Sequence, residues 1–141
     1  MPKLTPDELR LWHAWKKASD TVRARIGEQI TAATGLSDPD FAILTRLEDL
    51  GSGTLRQSEL AESMGWHRSR LSHQLTRMET RGLVTREGGG PLVHVSITDA
   101  GHDVIAAARP VHADAVRRVL AGHIPRAERE RFVEVLEALA R

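Results

Sequence analysis

Between Gly65 and Val84 the chain reads GWHRSRLSHQLTRMETRGLV, and within it Arg68, Ser69, Arg70, Ser72, His73, Thr76 and Arg77 lie close together. Side chains of these types suit the grip of a polyanion. Arginine can give two parallel hydrogen bonds to a phosphate or to the N7 and O6 acceptors of guanine, and hydroxyl and imidazole groups can donate or accept. Whether they act together depends on spacing. At about 100° per residue, Leu75 and Met78 fall within about 40° of Leu71. Ser69, His73, Thr76 and Thr80 fall on the opposite face, with Arg70 and Arg77 at its edge. Glu79 lies nearer the apolar side. A solvated helix normally mixes acids with bases at i, i+4, whereas this outward face carries arginine, histidine and hydroxyls with no acid among them. The pattern predicts a groove-binding helix over about 67–81. Ser69, Arg70 and His73, near its start, are placed to reach base edges, and Arg77 to meet phosphate. Arg68, on the flank, suits a phosphate contact or a salt bridge equally.

The elements needed to hold such a helix are present on both sides of it. LRQSELAESMG (55–65) reads as a short helix closed by glycine, with Leu60, Ala61 and Met64 apolar. Gly82 ends the basic helix as the residue after its C-cap. VTRE and LVHVSI, separated by GGGP, then read as a hairpin over about 84–97, with Val93, Val95 and Ile97 alternating onto one face. Upstream, Leu11, Trp15, Ala18, Val22 and Ile26 stripe a long helix from Thr5 to about Ala33 that ends at Gly35. Ser37-Asp38-Pro39-Asp40 starts a second helix as a capping box, with Phe41, Leu44, Leu47 and Leu50 on one side. Downstream, Thr98-Asp99 opens a helical segment striped by Val104, Ala108, Val111, Ala115 and Val119, with a kink or break predicted at Pro110. Pro125 starts a last helix whose apolar face is Phe132, Val135, Leu136 and Leu139. The predicted fold is mainly α with a small β-hairpin wing: a winged helix-turn-helix lobe (37–98) between a helical N-terminal region (1–36) and C-terminal helices (99–141). The outer helices carry more apolar stripe than so small a lobe can cover, which predicts self-association.

Composition narrows the function classes. From Met64 to Arg86 there are five arginines against one acid, Glu79, a segment of charge +4 in a chain of net charge +1, so the remainder is acidic. Localised positive charge on an acidic body fits a phosphate-binding surface. Only three of the 20 basic residues are lysine, so the placement of the arginines carries more weight than their identity. Cysteine is absent, which excludes disulfides and zinc-thiolate sites. No apolar run approaches the ~20 residues of a membrane span, and no secretory signal is visible, so a cytoplasmic protein is expected. His102, His112 and His123 recur at ten and eleven residues without a carboxylate cluster, and read as solvated or interface side chains rather than metal ligands. His13 reads as a surface residue. No nucleophile motif, phosphate loop or cofactor fingerprint is present, so neither an enzyme nor a cofactor is expected. Trp66 precedes the basic helix where a hydrophobic staple would pack it against the first turns.

QSELAESMGWHRSRLSHQLTRMETRGLVTRE (57–87), followed by SITDAG (96–101), resembles the MarR family of bacterial transcription regulators, and the helix order agrees across nearly the whole chain. The resemblance implies a homodimer joined through its first and last two helices, binding pseudo-palindromic double-stranded DNA sites near promoters. It further implies a repressor released by a small aromatic or phenolic effector held between the dimerisation helices and the DNA lobe. Trp12, Trp15 and Phe41 are the pocket candidates on that basis, with core or dimer packing as the alternative for the tryptophans. One departure stands out. The family's wing usually carries an Asp-Arg pair whose arginine enters the minor groove, whereas REGGGPLVHVSIT is short and has neither at its tip. Arg86, at the wing base, is therefore expected to touch phosphate at most. Arg56 stands where the family often has a capping Thr, at an expected cost in stability. The alternative from another class is a winged-helix protein-interaction module or a non-specific DNA-binding protein without ligand response.

Overall fold

In the computed structural model, which describes residues 1–141, helix α1 (Pro6–Thr34) stops where Gly35 takes the left-handed backbone (φ +76°) and donates its N–H to Thr31 O at 2.8 Å. Glycine accepts that conformation without steric cost. Helix α2 (Asp38–Gly51) starts on a capping box: the Ser37 hydroxyl accepts from Asp40 N–H and the Asp40 carboxylate accepts from Ser37 N–H. Ser52 (φ 51°) and Gly53 (φ +103°) turn the chain out of it.

Strand β1 (Thr54–Arg56) follows, where the sequence predicts the start of a helix at Leu55. Three residues with one half-buried apolar side chain are too few to display a period of two. Helix α3 (Gln57–Met64) therefore begins two residues later, with Arg56 as its N-cap. A guanidinium has no acceptor, so only the reciprocal half of the cap forms, Arg56 N–H donating to Glu59 Oε1 at 3.2 Å. The sheet supplies the rest: Gln57 N–H donates to Val93 O at 2.8 Å. Helix α4 (Arg68–Thr80) matches the predicted basic helix, and Gly82 (φ +74°) closes it.

Strands β2 (Val84–Glu87) and β3 (His94–Ile97) flank a single 3-10 turn at Gly90–Leu92. With β1 they form an antiparallel sheet in the order β1-β3-β2, pairing Leu55 with Val95 and Val84 with Ile97. The wing is thus a three-stranded sheet, and its root is tied to the helix-turn-helix through β1. At the tip Gly88 (φ +92°) is obligatory, since a Cβ there would lie 2.5 Å from Leu92 O.

Thr98 starts helix α5 (Asp99–Val119): its hydroxyl accepts from Gly101 N–H and donates to Gly82 O at 2.6 Å. Of the expected kink, or break near Arg109, the break does not occur, because α5 continues through Pro110. The ring costs one backbone hydrogen bond at an exposed position, and buried Ala108 and Ala115 hold the turns on either side. After a 3-10 turn at Ala121–His123, helix α6 (Arg126–Leu139) completes the chain. Pro125 is its N-cap rather than a first-turn residue, and Arg129 closes the preceding turn by donating to Ala121 O and Ile124 O.

The chain divides into two units, Ile30–Val111 and the pair of segments Met1–Gln29 and His112–Arg141. In the first, Ile43, Leu44, Leu47, Leu60, Leu71, Leu75, Met78, Val95 and Ile105 are fully buried. Leu50, expected on the buried side of α2, is 63% exposed, and Ile43 takes that role. In the second unit, Leu9, Leu11, Trp12, Trp15, Phe132, Val133, Val135 and Leu139 are each at least 40% exposed in the single chain. No helix is long and apolar enough to cross a membrane.

Candidate nucleic-acid interface

Helix α4 docks through Leu71, Leu75 and Met78, all fully buried, and this fixes which side faces out. Ser69, Arg70, His73, Thr76 and Arg77 are exposed, as is Arg68 at the first helical position. The helix starts on an unusual cap: His67 Nδ1 accepts from Ser69 N–H at 3.2 Å and lies 2.9 Å from the Ser69 hydroxyl. Ser69, at the proposed reading edge, is thereby held in place. Arg70 lies over Trp66, its guanidinium carbon 3.7 Å from the ring centroid. Trp66 thus meets the first turn of α4 through Arg70, with the indole half-buried and Leu71 fully buried.

Ser72, Thr76 and Arg86 are brought together, but with one another. Arg86 Nε donates to Glu79 Oε1 at 2.8 Å, its Nη2 to Thr76 Oγ1 at 2.7 Å, and its Nη1 to Ser72 Oγ at 3.3 Å. The Arg86 side chain is only 20% exposed. Its charge is matched by Glu79, the single acid of α4, so the outward face keeps an uncompensated positive character. This clamp fastens β2 to α4 along two turns and sets the wing's angle to the helix. The sequence placed Glu79 beside the apolar stripe, but the partner that puts it there comes from the wing.

A second polar network lies beneath the helix, and the sequence did not reveal it. Asp40 and Gln74 are buried, 2% and 6% exposed. Gln74 Nε2 donates to Asp40 Oδ1 at 2.7 Å, and Arg81 Nη1 donates to Asp40 Oδ2 at 2.6 Å. Gln74 Oε1 accepts from Arg77 Nη2 at 2.6 Å, and Arg81 Nη2 reaches Gly35 O at 3.2 Å. The capping carboxylate of α2 thus fixes the roll of α4, and Gln74 orients Arg77, the proposed phosphate contact. One signal was available: Gln74 falls between Leu71 and Met78 on the apolar side of the helix, where a polar side chain must find partners to be buried.

The pocket candidates differ in exposure. Phe41 is 9% exposed in α2, whereas Trp12 and Trp15 are 49% and 43% exposed on α1, with Lys16 Nζ 5.2 Å from the Trp12 ring centroid. Phe41 belongs to one unit and both tryptophans to the other. Of the histidines considered for metal, His102 lies 2.6 Å from Glu48 Oε2 through Nδ1.

A short helix, a left-handed glycine, an exposed basic helix and a strand-tied wing make the Ile30–Val111 unit a winged helix-turn-helix, a DNA-binding architecture. The MarR family profile matches residues 36–88. Transcriptional regulator HosA of Escherichia coli O157:H7 is 30% identical over 107 residues, covering 74% of this chain and 77% of HosA. Sco3205, a MarR family transcriptional regulator from Streptomyces coelicolor whose crystal structure is a complex with DNA, matches with a TM-score of 0.91 at 26% identity, over 99% of this chain and 90% of its own. Transcriptional repressor CouR, bound to p-coumaroyl-CoA, matches at 27% identity and a TM-score of 0.80 over 99% of each chain. The chain belongs to the MarR family of transcriptional regulators.

Proposed function

We propose that this regulator is a homodimeric repressor that reads a pseudo-palindromic operator with Ser69, Arg70 and His73, and is released by a small aromatic ligand. The observation that carries the DNA assignment is the outward face of α4, basic and hydroxyl-rich, with its one acid matched by Arg86. Arg77 and Arg68 supply phosphate contacts, which add affinity and salt dependence without sequence information. Arg86, together with Ser72 and Thr76, acts by holding the wing. The complex of Sco3205 with DNA supports DNA as the partner. Dimerisation is supported by the apolar residues left exposed on α1 and α6, too many for a monomer's surface. Effector control is supported by CouR with its bound aromatic thioester and by the half-exposed Trp12 and Trp15.

Footprinting on the DNA flanking the protein's own gene tests this assignment. Two protected half-sites centred about 10–10.5 base pairs apart are expected, since paired recognition helices sit roughly 34–36 Å apart. Absence of any protected site there and beside the neighbouring genes contradicts it. For the effector, a thermal-shift screen with phenolic acids and their thioesters should find a compound that raises the melting temperature and weakens operator binding.

A further inference from the structure

We propose that Trp66 is a positioning and specificity-determining residue, fixing Arg70 for bidentate donation to one guanine in each half-site. The inference rests on the assignment of α4 as the DNA-reading helix. Trp66 belongs to the turn of the helix-turn-helix rather than to either helix. Gly65 closes α3 in the left-handed conformation (φ 64°), and Trp66 N–H then donates back to Ala61 O at 3.0 Å. Two residues later α4 begins, with its first turn pinned by the His67 cap. The backbone of Trp66 is therefore fixed by the turn, and Arg70 Cζ sits 3.7 Å from its ring centroid.

The way Arg70 is held matters for what it can do. Arg77 is oriented through an N–H donated to Gln74 and so gives up one donor. Arg70 makes no hydrogen bond or ion pair within the chain and is restrained through its flat face alone. Stacking leaves every in-plane N–H of the guanidinium free, and those are the groups that pair with guanine O6 and N7. A long, rotamer-rich side chain is thus ordered before binding with its donors uncommitted, which favours a directional base contact over a diffuse phosphate contact.

The test starts from a pool of randomised duplexes selected with the full-length protein, followed by 7-deazaguanine in place of each guanine of the enriched duplex. The guanine read by Arg70 is the one whose loss of N7 weakens the wild type but not Arg70→Ala. Trp66→Leu, which keeps apolar bulk and removes the π face, should lose roughly five- to thirtyfold in preference for that guanine over the two half-sites. Its affinity for unselected duplex should stay within about twofold of the wild type, and in an Arg70→Ala background it should cost almost nothing more. Retention of the guanine preference by Trp66→Leu, or simple addition of the two losses, overturns the inference while leaving the DNA assignment standing. If the wild type enriches no sequence, the DNA assignment fails and the inference with it. Should Trp66→Leu fail to melt cooperatively, Trp66→Phe and Trp66→Met are compared: preference kept by Phe and lost by Met supports the stack, and equal preference in both overturns it.

Discussion

At the residue scale, Arg70 and Arg77 sit seven positions apart on one helix, yet their surroundings assign them different work. Arg70 has a stacked face and free donors, whereas Arg77 is tethered to a buried amide. Arg70→Ala should lose about 1–3 kcal/mol of discrimination at a single base-pair position. Arg77→Ala should weaken all duplexes about equally and lower the slope of log affinity against log salt by about 1, as titrations at several salt concentrations will show. Beneath both lies Asp40, where one carboxylate accepts from Ser37, Gln74 and Arg81 at once. Asp40→Ala strands the buried Gln74 amide and a helix-start N–H, while half-exposed Arg81 can turn to water. A loss of about 2–4 kcal/mol in urea unfolding is expected. Much of this scale was legible in the sequence: angular spacing alone separated Leu71, Leu75 and Met78 from Ser69, Arg70 and His73. The partners of Arg86, and Asp40 as partner of Gln74, were not, because they lie 7 to 34 residues away and depend on tertiary contact.

At the element scale, the helix boundaries followed from local chemistry. Gly35, the Ser37–Asp40 box, Gly65 and Gly82 act within a turn of their own residues, so periodicity plus capping located α1, α2 and α4 closely. Strand β1 and the unbroken α5 escaped for the opposite reason, since both are decided by what packs or pairs beside them: β3 for the strand, buried alanines for the helix. The junction of α2 with α5 makes a pH prediction. Burial of the Glu48 carboxyl pushes its pKa upward. Hydrogen bonds from His102 and Arg109, with the charges of both, outweigh that and hold the pKa below its ordinary value. A lowered folded-state pKa means that Glu48 contributes its full stability above its unfolded pKa, and the contribution is lost as pH falls through the folded-state value. Glu48→Gln should therefore lower stability at neutral pH and flatten the acid limb of urea midpoint against pH, measured from about pH 7 down to 3.

At the scale of the whole molecule, the two units divide the labour. Ile30–Val111 has a closed apolar core and carries the helix proposed to face DNA, whereas the terminal segments leave Trp12, Trp15, Phe132 and Val135 uncovered in one chain. A second copy is expected to cover them. Sedimentation should give about twice the 15.6 kDa chain mass. Phe132→Glu with Val135→Glu should yield a monomer that still melts cooperatively but binds operator at least tenfold more weakly, because each half-site is then engaged alone. The excess of apolar stripe on the outer helices pointed to this surface in the sequence, whereas Trp12, Trp15 and Phe41 were pocket candidates through the family resemblance alone and not through their spacing. The central claim, that α4 reads sequence rather than merely holding phosphate, is tested most directly by the ratio of affinities for the selected operator and for random duplex at physiological salt. A ratio of about 10³ or more is predicted, and a ratio near one would contradict it.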